Sequence, residues 1–222
     1  MAYVDLTGTA EDWVVGSTEE QMQACSGDDT ILGSTLGYSV WARCMGGNDF
    51  IQLQSGLNNF VNGNSGSDTI NLYASSDGYQ DGNILGGADN DVITVASGTW
   101  GVLEGNIING NNGNDTMINY GNCKQLRGGK DNDRIINYGG DTDVWGDKGA
   151  DTFVPYAVDV NNNWGGIMTI RDFNASEGDV IDLTAIGSYR KLHYDSNEDG
   201  LIDTTFGHVN GPLACLVYSA VL

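Results

Sequence analysis

An aspartate that recurs at nearly regular spacing constrains this chain more than any other feature of its sequence. It occurs eight times, with gaps of 17, 20, 19, 23, 24, 18 and 18 residues. A repeat of this length predicts a solenoid, because one unit cannot bury its apolar residues alone and stacked units can. The recurring residues are Asp12, Asp29, Asp49, Asp68, Asp91, Asp115, Asp133 and Asp151.

Each copy also carries small and apolar residues at fixed places. We number the copies so that the recurring aspartate is at position 6. Position 8 is apolar in every copy, and a second apolar residue lies two places before position 1 in most copies. Each copy therefore predicts two short strands joined by a turn rich in Gly and Asp. Position 1 is Thr7, Ala24 and Cys44 in the first three copies and then Gly63, Gly86, Gly110, Gly128 and Gly146.

The turn between the two strands has the composition of a calcium site. Glycine permits positive φ angles, so the backbone can curl and point its carbonyl oxygens towards the aspartate. Turns stacked about 4.8 Å apart would surround an ion with carboxylate and carbonyl oxygens, which Ca²⁺ accepts more readily than Mg²⁺ does. Asp89 and Asp131 stand at position 4, where glycine is expected, and aspartate is one of the few residues that tolerate the same left-handed backbone.

Five segments resemble the nonapeptide of the repeats-in-toxin (RTX) family, G-G-x-G-x-D-x-U-x with U apolar. They are GNSGSDTIN (63–71), GGADNDVIT (86–94), GNNGNDTMI (110–118), GGKDNDRII (128–136) and GDKGADTFV (146–154). The resemblance implies an all-β fold, a right-handed parallel β-roll or β-solenoid, with Ca²⁺ between its turns. It also implies extracellular localisation, by secretion along the type I route or by association with a surface.

These observations predict about eight turns, a C-terminal β cap and three regions. The regions are degenerate N-terminal turns (1–59), a calcium-binding roll (60–160) and a capping and secretion-signal region (161–222). Because the motif recurs only every eighteen residues or more, we expect one calcium ladder along one edge. The predicted ligands there are Asp29, Asp49, Gly63, Ser65, Asp68, Gly86, Ala88, Asp91, Gly110, Asn112, Asp115, Gly128, Lys130, Asp133, Gly146, Lys148 and Asp151.

Two segments after the repeats add candidate ligands. TIRDFNASEGDVIDLTAI (169–186) resembles the region that caps such rolls in secreted bacterial proteins, with Asp172, Asp179 and Asp182 as candidates. YDSNEDGLIDTTF (194–206) resembles a tail motif of the family and an EF-hand loop, although Phe206 replaces the glutamate that an EF-hand needs at its last position. A polar hairpin turn is the alternative for this segment. Its candidate ligands are Asp195, Asn197 and Asp199.

Charge and hydropathy narrow the range of partners. Thirty acidic residues against nine Lys and Arg give a formal net charge of −21, which repels nucleic acid and favours bound cations. No apolar segment reaches the roughly 18 residues of a membrane-spanning helix. The start of the chain lacks the basic and apolar regions of a cleaved secretion signal.

Cysteines and aromatic residues suggest further contacts. Cys25 and Cys44 fall in neighbouring copies, so they could form a disulfide or remain buried thiols. Asn119 and Asn137 could form a hydrogen-bonded ladder. An aromatic stripe is predicted at position 11, where it could bind sugar, contact a partner chain or pack against itself; its members are Tyr73, Tyr120, Tyr138 and Tyr156.

The sequence favours a non-catalytic protein. It has only two histidines, His193 and His208, and lacks the metalloprotease, serine hydrolase and P-loop motifs. We expect a calcium-stabilised structural or surface protein that folds outside the cell on binding calcium. The alternatives are a subunit of an assembly such as a surface layer or virion, an ice- or polysaccharide-binding module, and a polysaccharide-acting enzyme. Ice binding is disfavoured because threonine at position 7 is interrupted by Phe50, Val92 and Arg134.

Overall fold

The described part of the chain folds into two long β-sheets. The computed structural model describes residues 2–5, 12–14, 20–23, 26–33, 40–53, 59–73, 82–96, 102–156, 166–194, 203–208 and 213–218. Their regular elements are all β-strands. The described residues accordingly contain no helix of the length and apolarity needed to cross a membrane.

The first eighteen strands of the described residues alternate between the two sheets along the sequence. Within the described residues, sheet A has twelve strands and sheet B has nine. In spatial order, sheet A contains β1 (Ala2–Asp5), β3 (Glu20–Gln23), β5 (Val40–Arg43), β7 (Asn59–Ser65), β9 (Gly82–Ala88), β11 (Val102–Asn112), β13 (Asn122–Lys130), β15 (Thr142–Lys148), β17 (Met168–Ile170), β21 (Leu213–Val217), β20 (Asp203–His208) and β19 (Tyr189–Tyr194). Sheet B contains β2 (Asp12–Val14), β4 (Thr30–Leu32), β6 (Phe50–Leu53), β8 (Thr69–Tyr73), β10 (Val92–Ala96), β12 (Thr116–Asn119), β14 (Arg134–Asn137), β16 (Thr152–Pro155) and β18 (Val180–Ile181).

Parallel pairing of every second strand confirms the predicted β-solenoid. Each coil contributes one strand to each sheet, and equivalent residues stack in register, as Ile93 does on Ile70 and Met117. The number of coils differs from the predicted eight, because in the part of the chain that the structure describes nine strand pairs follow one another from β1/β2 to β17/β18. The extra coil was missed because its aspartate, Asp179, lies 28 residues after Asp151 and has no glycine-rich nonapeptide before it.

Three strands close the C-terminal end of sheet A, as the predicted β cap requires. β21 pairs parallel with β17, and β20 and β19 continue the sheet in antiparallel pairs. The candidate ligands Asp195, Asn197 and Asp199 lie outside the described residues. The division of the chain into three regions stays a prediction.

The core is a stack of apolar side chains from both sheets. Position 8 is buried in each of the seven copies whose side chain the structure describes, as in Ile135 and Phe153, and sheet A supplies Ile108, Leu126 and Val144. Along the strands every second side chain is buried, as Met117 and Asn119 are in β12. Burial of each such side chain contributes about 1.5–3 kcal/mol. The core therefore sets the register in which the turns at one edge of the solenoid stack.

Candidate metal centre

The repeated aspartates form one continuous ladder at the turns that lead from sheet A to sheet B. Each of them immediately precedes a strand of sheet B, as Asp133 precedes β14. The solvent-exposed fraction is 1–2% in seven of these aspartates and 9% in Asp179, so they differ from ordinary surface carboxylates. The members of the ladder within the described residues are Asp29, Asp49, Asp68, Asp91, Asp115, Asp133, Asp151 and the ninth-coil residue Asp179.

One carboxylate oxygen of each aspartate links neighbouring coils. Oδ1 of Asp133 accepts the backbone N–H of Asp115 at 2.8 Å, and Oδ1 of Asp151 accepts that of Asp133 at 2.9 Å. The same bond is repeated between every pair of neighbours from Asp29 to Asp179. The Oδ1 atoms therefore satisfy amides that face along the solenoid axis.

The other carboxylate oxygen is buried without a hydrogen-bond partner in five of these aspartates. An ideal Cβ built on Gly128 would lie 2.2 Å from Asp133 Oδ2 and 2.7 Å from the carbonyl oxygen of Gly146 in the next coil. The two oxygens thus converge on the side of Gly128 that lacks a side chain. Two acceptors that face each other in a buried space are unfavourable unless a proton or a cation lies between them. The five aspartates are Asp49, Asp68, Asp91, Asp115 and Asp133.

The last coil shows the contrasting arrangement. Oδ2 of Asp179 accepts the backbone N–H of Asn174 at 2.8 Å, so this carboxylate has a protein donor. Its Oδ1 bonds to the N–H of Asp151 like every other member of the ladder. The five unpaired oxygens are therefore a feature of the stacked turns and not of the ladder as a whole.

Burial raises the pKa values of the ladder carboxyls from Asp49 to Asp151 in the cation-free chain. The pKa of Asp68 rises to about 7 and those of Asp91 and Asp133 to about 8. The first cause is loss of hydration, and the negative charges of neighbouring aspartates add to it. A cation between the turns would reverse both effects, because it favours the ionised carboxylate.

The predicted carbonyl ligands occupy two different environments. The carbonyls at position 1 that the structure places beside an unpaired Oδ2 belong to Gly86, Gly110, Gly128 and Gly146. At position 3, the carbonyls of Ser65, Ala88 and Lys130 each accept the N–H of the position-4 glycine in the preceding coil, at 3.0–3.2 Å. These position-3 carbonyls therefore already join one turn to the next through backbone hydrogen bonds.

Two aspartates after the repeats bond to the protein itself. Asp172 accepts the backbone N–H groups of Gly146 and Asp147, each at 2.9 Å, so its carboxylate closes the turn of the eighth coil. Asp182 accepts the N–H of Thr184 at 3.1 Å and lies 3.5 Å from Arg134. Hydrogen bonds from Thr184 lower the pKa of Asp182. These contacts give both residues a structural role at the C-terminal end of the ladder.

The sequence analysis missed a second ladder, at position 5. The side-chain oxygen in one coil accepts the backbone N–H of position 5 in the next coil, at 2.7–2.9 Å. The sequence signal was the Asp or Asn that precedes the recurring aspartate in most copies. The acceptors are Asp28, Asn48, Asn90, Asn114 and Asn132.

The aromatic stripe is present and partly exposed. The rings of Tyr120 and Tyr138 are parallel with centroids 4.5 Å apart, and Tyr156 continues the column at 4.5 Å. Tyr73 is separated from this column by one coil, in which Ala96 occupies its register. Beside the column, Nδ2 of Asn119 donates to Oδ1 of Asn137 at 2.7 Å, which confirms the predicted asparagine ladder.

Buried thiols occupy three places in the described core, at Cys44, Cys123 and Cys215. Burial raises the pKa of the Cys44 thiol, and the nearby charge of Asp49 raises it further. Cys44 therefore stays protonated beside Asp49, at position 1 where later copies have glycine. Its predicted partner Cys25 lies outside the described residues, so the disulfide stays a prediction.

Side chains alone do not account for a metal site at this edge of the solenoid. Within the described ranges, no three His, Cys, Asp or Glu side chains converge to hold a metal. Main-chain oxygens would therefore have to complete any cation shell at the turns.

Comparison of the chain with protein-family models, curated proteins and solved structures gave no match.

Proposed function

We propose that this chain is a non-catalytic calcium-binding β-solenoid of the RTX type, which acts outside the cell as a structural or surface protein and folds on binding calcium. The observation that carries the proposal is the set of five buried Oδ2 atoms without partners, four of which lie beside a glycine that leaves space next to them. Five such oxygens in one file require several neutralising charges at one edge of the protein. A single buried oxygen without a partner would not require several neutralising charges.

Calcium fits this edge better than other common cations. Its preferred ligands are carboxylate and carbonyl oxygens in flexible geometry, and both kinds converge between the turns. Magnesium demands a rigid octahedron and keeps its water, which a narrow gap between stacked turns does not favour. Neutralisation of the ladder would also reduce the self-repulsion of a chain with a net charge of −21.

Calcium dependence of folding provides the main test. In chelator at pH 7.5 we expect most of the β-type circular dichroism to be lost, and millimolar calcium to restore it. Equal concentrations of magnesium serve as the control and should restore little. Full β structure and an unchanged melting temperature in chelator would contradict the proposal, since the carboxylates would then be neutralised by protons alone.

Two surface features support polysaccharide binding as a second candidate function. An open groove of about 710 Å³ follows the outer side of the turns and is lined largely by amide side chains, including Asn64, Asn109 and Asn111, and by Lys130 and Lys148. Tyr120 in the aromatic column is 45% exposed. Affinity electrophoresis in gels containing neutral or acidic polysaccharides, with calcium present, should show retardation. Unchanged mobility in every gel would remove this candidate.

A further inference from the structure

Position 4 of the turn alternates between glycine and aspartate in successive coils. All of these residues have φ angles between 75° and 142°, in the region that favours glycine. The predicted tolerance of aspartate for this backbone is confirmed at Asp89 and Asp131, whose φ angles are 77° and 75°. The series along the solenoid is Gly66, Asp89, Gly113, Asp131 and Gly149.

Close stacking of the turns requires glycine at position 4 in the coils that lack an aspartate there. A Cβ on Gly113 would lie 2.0 Å from the carbonyl oxygen of Asp89, and one on Gly149 would lie 1.8 Å from that of Asp131. Such contacts are with backbone atoms, which cannot move aside cheaply. Glycine is therefore required at Gly113 and Gly149, as it is at Gly66, where a Cβ would lie 1.8 Å from the carbonyl oxygen of Gly47.

Each position-4 aspartate reaches back towards the preceding coil. Oδ2 of Asp89 accepts the N–H of Gly66 at 3.2 Å, and Oδ2 of Asp131 accepts the N–H of Gly113 at 3.3 Å. The negative charge of a position-4 aspartate acts on the ladder carboxyls of its own coil and of the preceding coil. Asp89, for example, raises the pKa values of both Asp68 and Asp91. Both position-4 aspartates are exposed to solvent, whereas the ladder carboxylates behind them are buried.

These contacts place extra carboxylates in two of the four gaps between the five glycine-rich turns. The gap between the turns of Gly63 and Gly86 contains the unpaired Asp68 Oδ2, the Gly86 carbonyl and the backward-reaching Asp89. The gap between the turns of Gly110 and Gly128 has the equivalent set of Asp115, Gly128 and Asp131. In the other two gaps the following turn has Gly113 or Gly149 at position 4, so no position-4 carboxylate reaches back.

We propose that the edge holds two alternating classes of divalent-cation site, and that Asp89 and Asp131 define the tighter class. This inference rests on the proposed calcium binding at the same edge. The affinity of calcium sites rises with the number of charged ligands, and an exposed carboxylate in front of a buried one also offers an entry path. The gaps after Asp68 and Asp115 bind the ion more tightly than the gaps after Asp91 and Asp133.

Calorimetric titration of the full chain with calcium ions tests the two classes. The wild-type isotherm should have a tight phase and a weaker phase. Asp89→Asn and Asp131→Asn should each remove about half of the tight phase, with affinity at the altered gap falling by about tenfold or more. Asparagine keeps an oxygen that accepts the glycine N–H, so the loss reports charge and not the hydrogen bond.

Asp141→Asn is the matched control, because it removes one exposed carboxylate that also accepts a backbone N–H, that of Ile167 at 2.9 Å. It should leave both phases intact. Calcium uptake by the wild type, with Asp89→Asn and Asp131→Asn indistinguishable from Asp141→Asn, would overturn the two classes and leave the proposed function standing. Absence of calcium uptake by the wild type would refute the proposed function and this inference together. The two aspartates are in separate gaps, so a folding defect in one variant leaves the other as an independent measurement.

Discussion

The two oxygens of a ladder aspartate differ in environment although they belong to one carboxylate. Oδ1 of Asp133 accepts the N–H of Asp115, whereas its Oδ2 faces the Gly146 carbonyl without a donor. One half of the side chain therefore supports the fold in any ionic condition. The other half stabilises the fold only when a proton or a cation neutralises it.

Asp133→Asn should have opposite effects with and without calcium. The amide oxygen can replace Oδ1, and the NH₂ group can donate to the carbonyl of Gly146 where Oδ2 cannot. In chelator we expect the free energy of unfolding to increase by roughly 1–3 kcal/mol, since a buried unpaired group is removed. In saturating calcium we expect the variant to bind fewer ions and to be less stable than the wild type.

Thermal unfolding in calcium, circular dichroism in chelator at a pH where the wild type is partly folded, and calorimetric ion counts check this prediction. Asp141→Asn serves as the control and should shift neither condition strongly. Asp133→Ala, which removes both oxygens, should weaken calcium binding and also destabilise the metal-free chain. If Asp133→Asn bound as much calcium as the wild type, Asp133 would not be a ligand.

At the scale of the turn, main-chain spacing restricts the sequence as strongly as ion binding does. Gly113 combines a φ of 121° with the carbonyl of Asp89 at the place of its missing side chain. Asn111 in the same turn has a φ of 78° and tolerates a side chain, and its N–H is held by Asn109 Oδ1 at 2.9 Å. The turn thus has one position that requires glycine and one that accepts asparagine.

Gly113→Ala should destabilise the protein by about 2–4 kcal/mol even in saturating calcium, since its Cβ would overlap backbone and its φ is strained. Asn111→Gly is the matched control in the same turn and should cost about 1 kcal/mol or less. Urea unfolding of both variants in calcium measures the difference. Equal stability of the two variants would mean that the turns can separate enough to admit a side chain.

Regular spacing made the solenoid and its ladder predictable, and irregular spacing hid the last coil. The eight aspartates in register predicted the stacked strands and the single edge on which they lie. Asp179 was a candidate ligand, but its place in the ladder was not predicted because a longer segment without the glycine motif precedes it. Asp172 was also a candidate ligand, and its carboxylate instead closes a turn through the N–H groups of Gly146 and Asp147. Sequence patterns report backbone register well, but they do not say which donor a given carboxylate oxygen meets.

The position-5 ladder illustrates the same limit for amide side chains. Asn114 donates its backbone N–H to Asn90 and accepts that of Asn132 through Oδ1. An asparagine beside the recurring aspartate could equally have faced solvent, and periodicity alone cannot decide between the two orientations. The direction of the bonds, opposite to that of the aspartate ladder, emerges only from the stacked backbone.

Across the whole molecule, coupling between coils makes stability depend on the entire ladder. Each coil contacts mainly its neighbours, so the fold is stabilised by the sum of similar interfaces. Because each ladder aspartate joins two coils, neutralisation of one carboxylate supports the turns on both sides. We therefore expect calcium and protons to act on the solenoid as a unit and not on isolated turns.

The pH dependence of stability should reverse when calcium is added. In the cation-free chain the pKa values of Asp68 and Asp133 are raised to about 7 and about 8, well above the value of about 3.9 in an unfolded chain. The folded chain therefore binds more protons, so its stabilisation is complete below about pH 4 and is lost as the pH rises through 7 to 8. In chelator, the free energy of unfolding should fall between pH 5 and pH 8, by up to about 1.4 kcal/mol per pH unit for each carboxyl involved. In saturating calcium it should rise over the same range, because ions bind to the carboxylates that protons have left.

Urea unfolding at several pH values measures both curves. Asp133→Asn should flatten the curve in chelator, whereas a cation-free wild type most stable at pH 8 would show that the buried ladder does not control the fold.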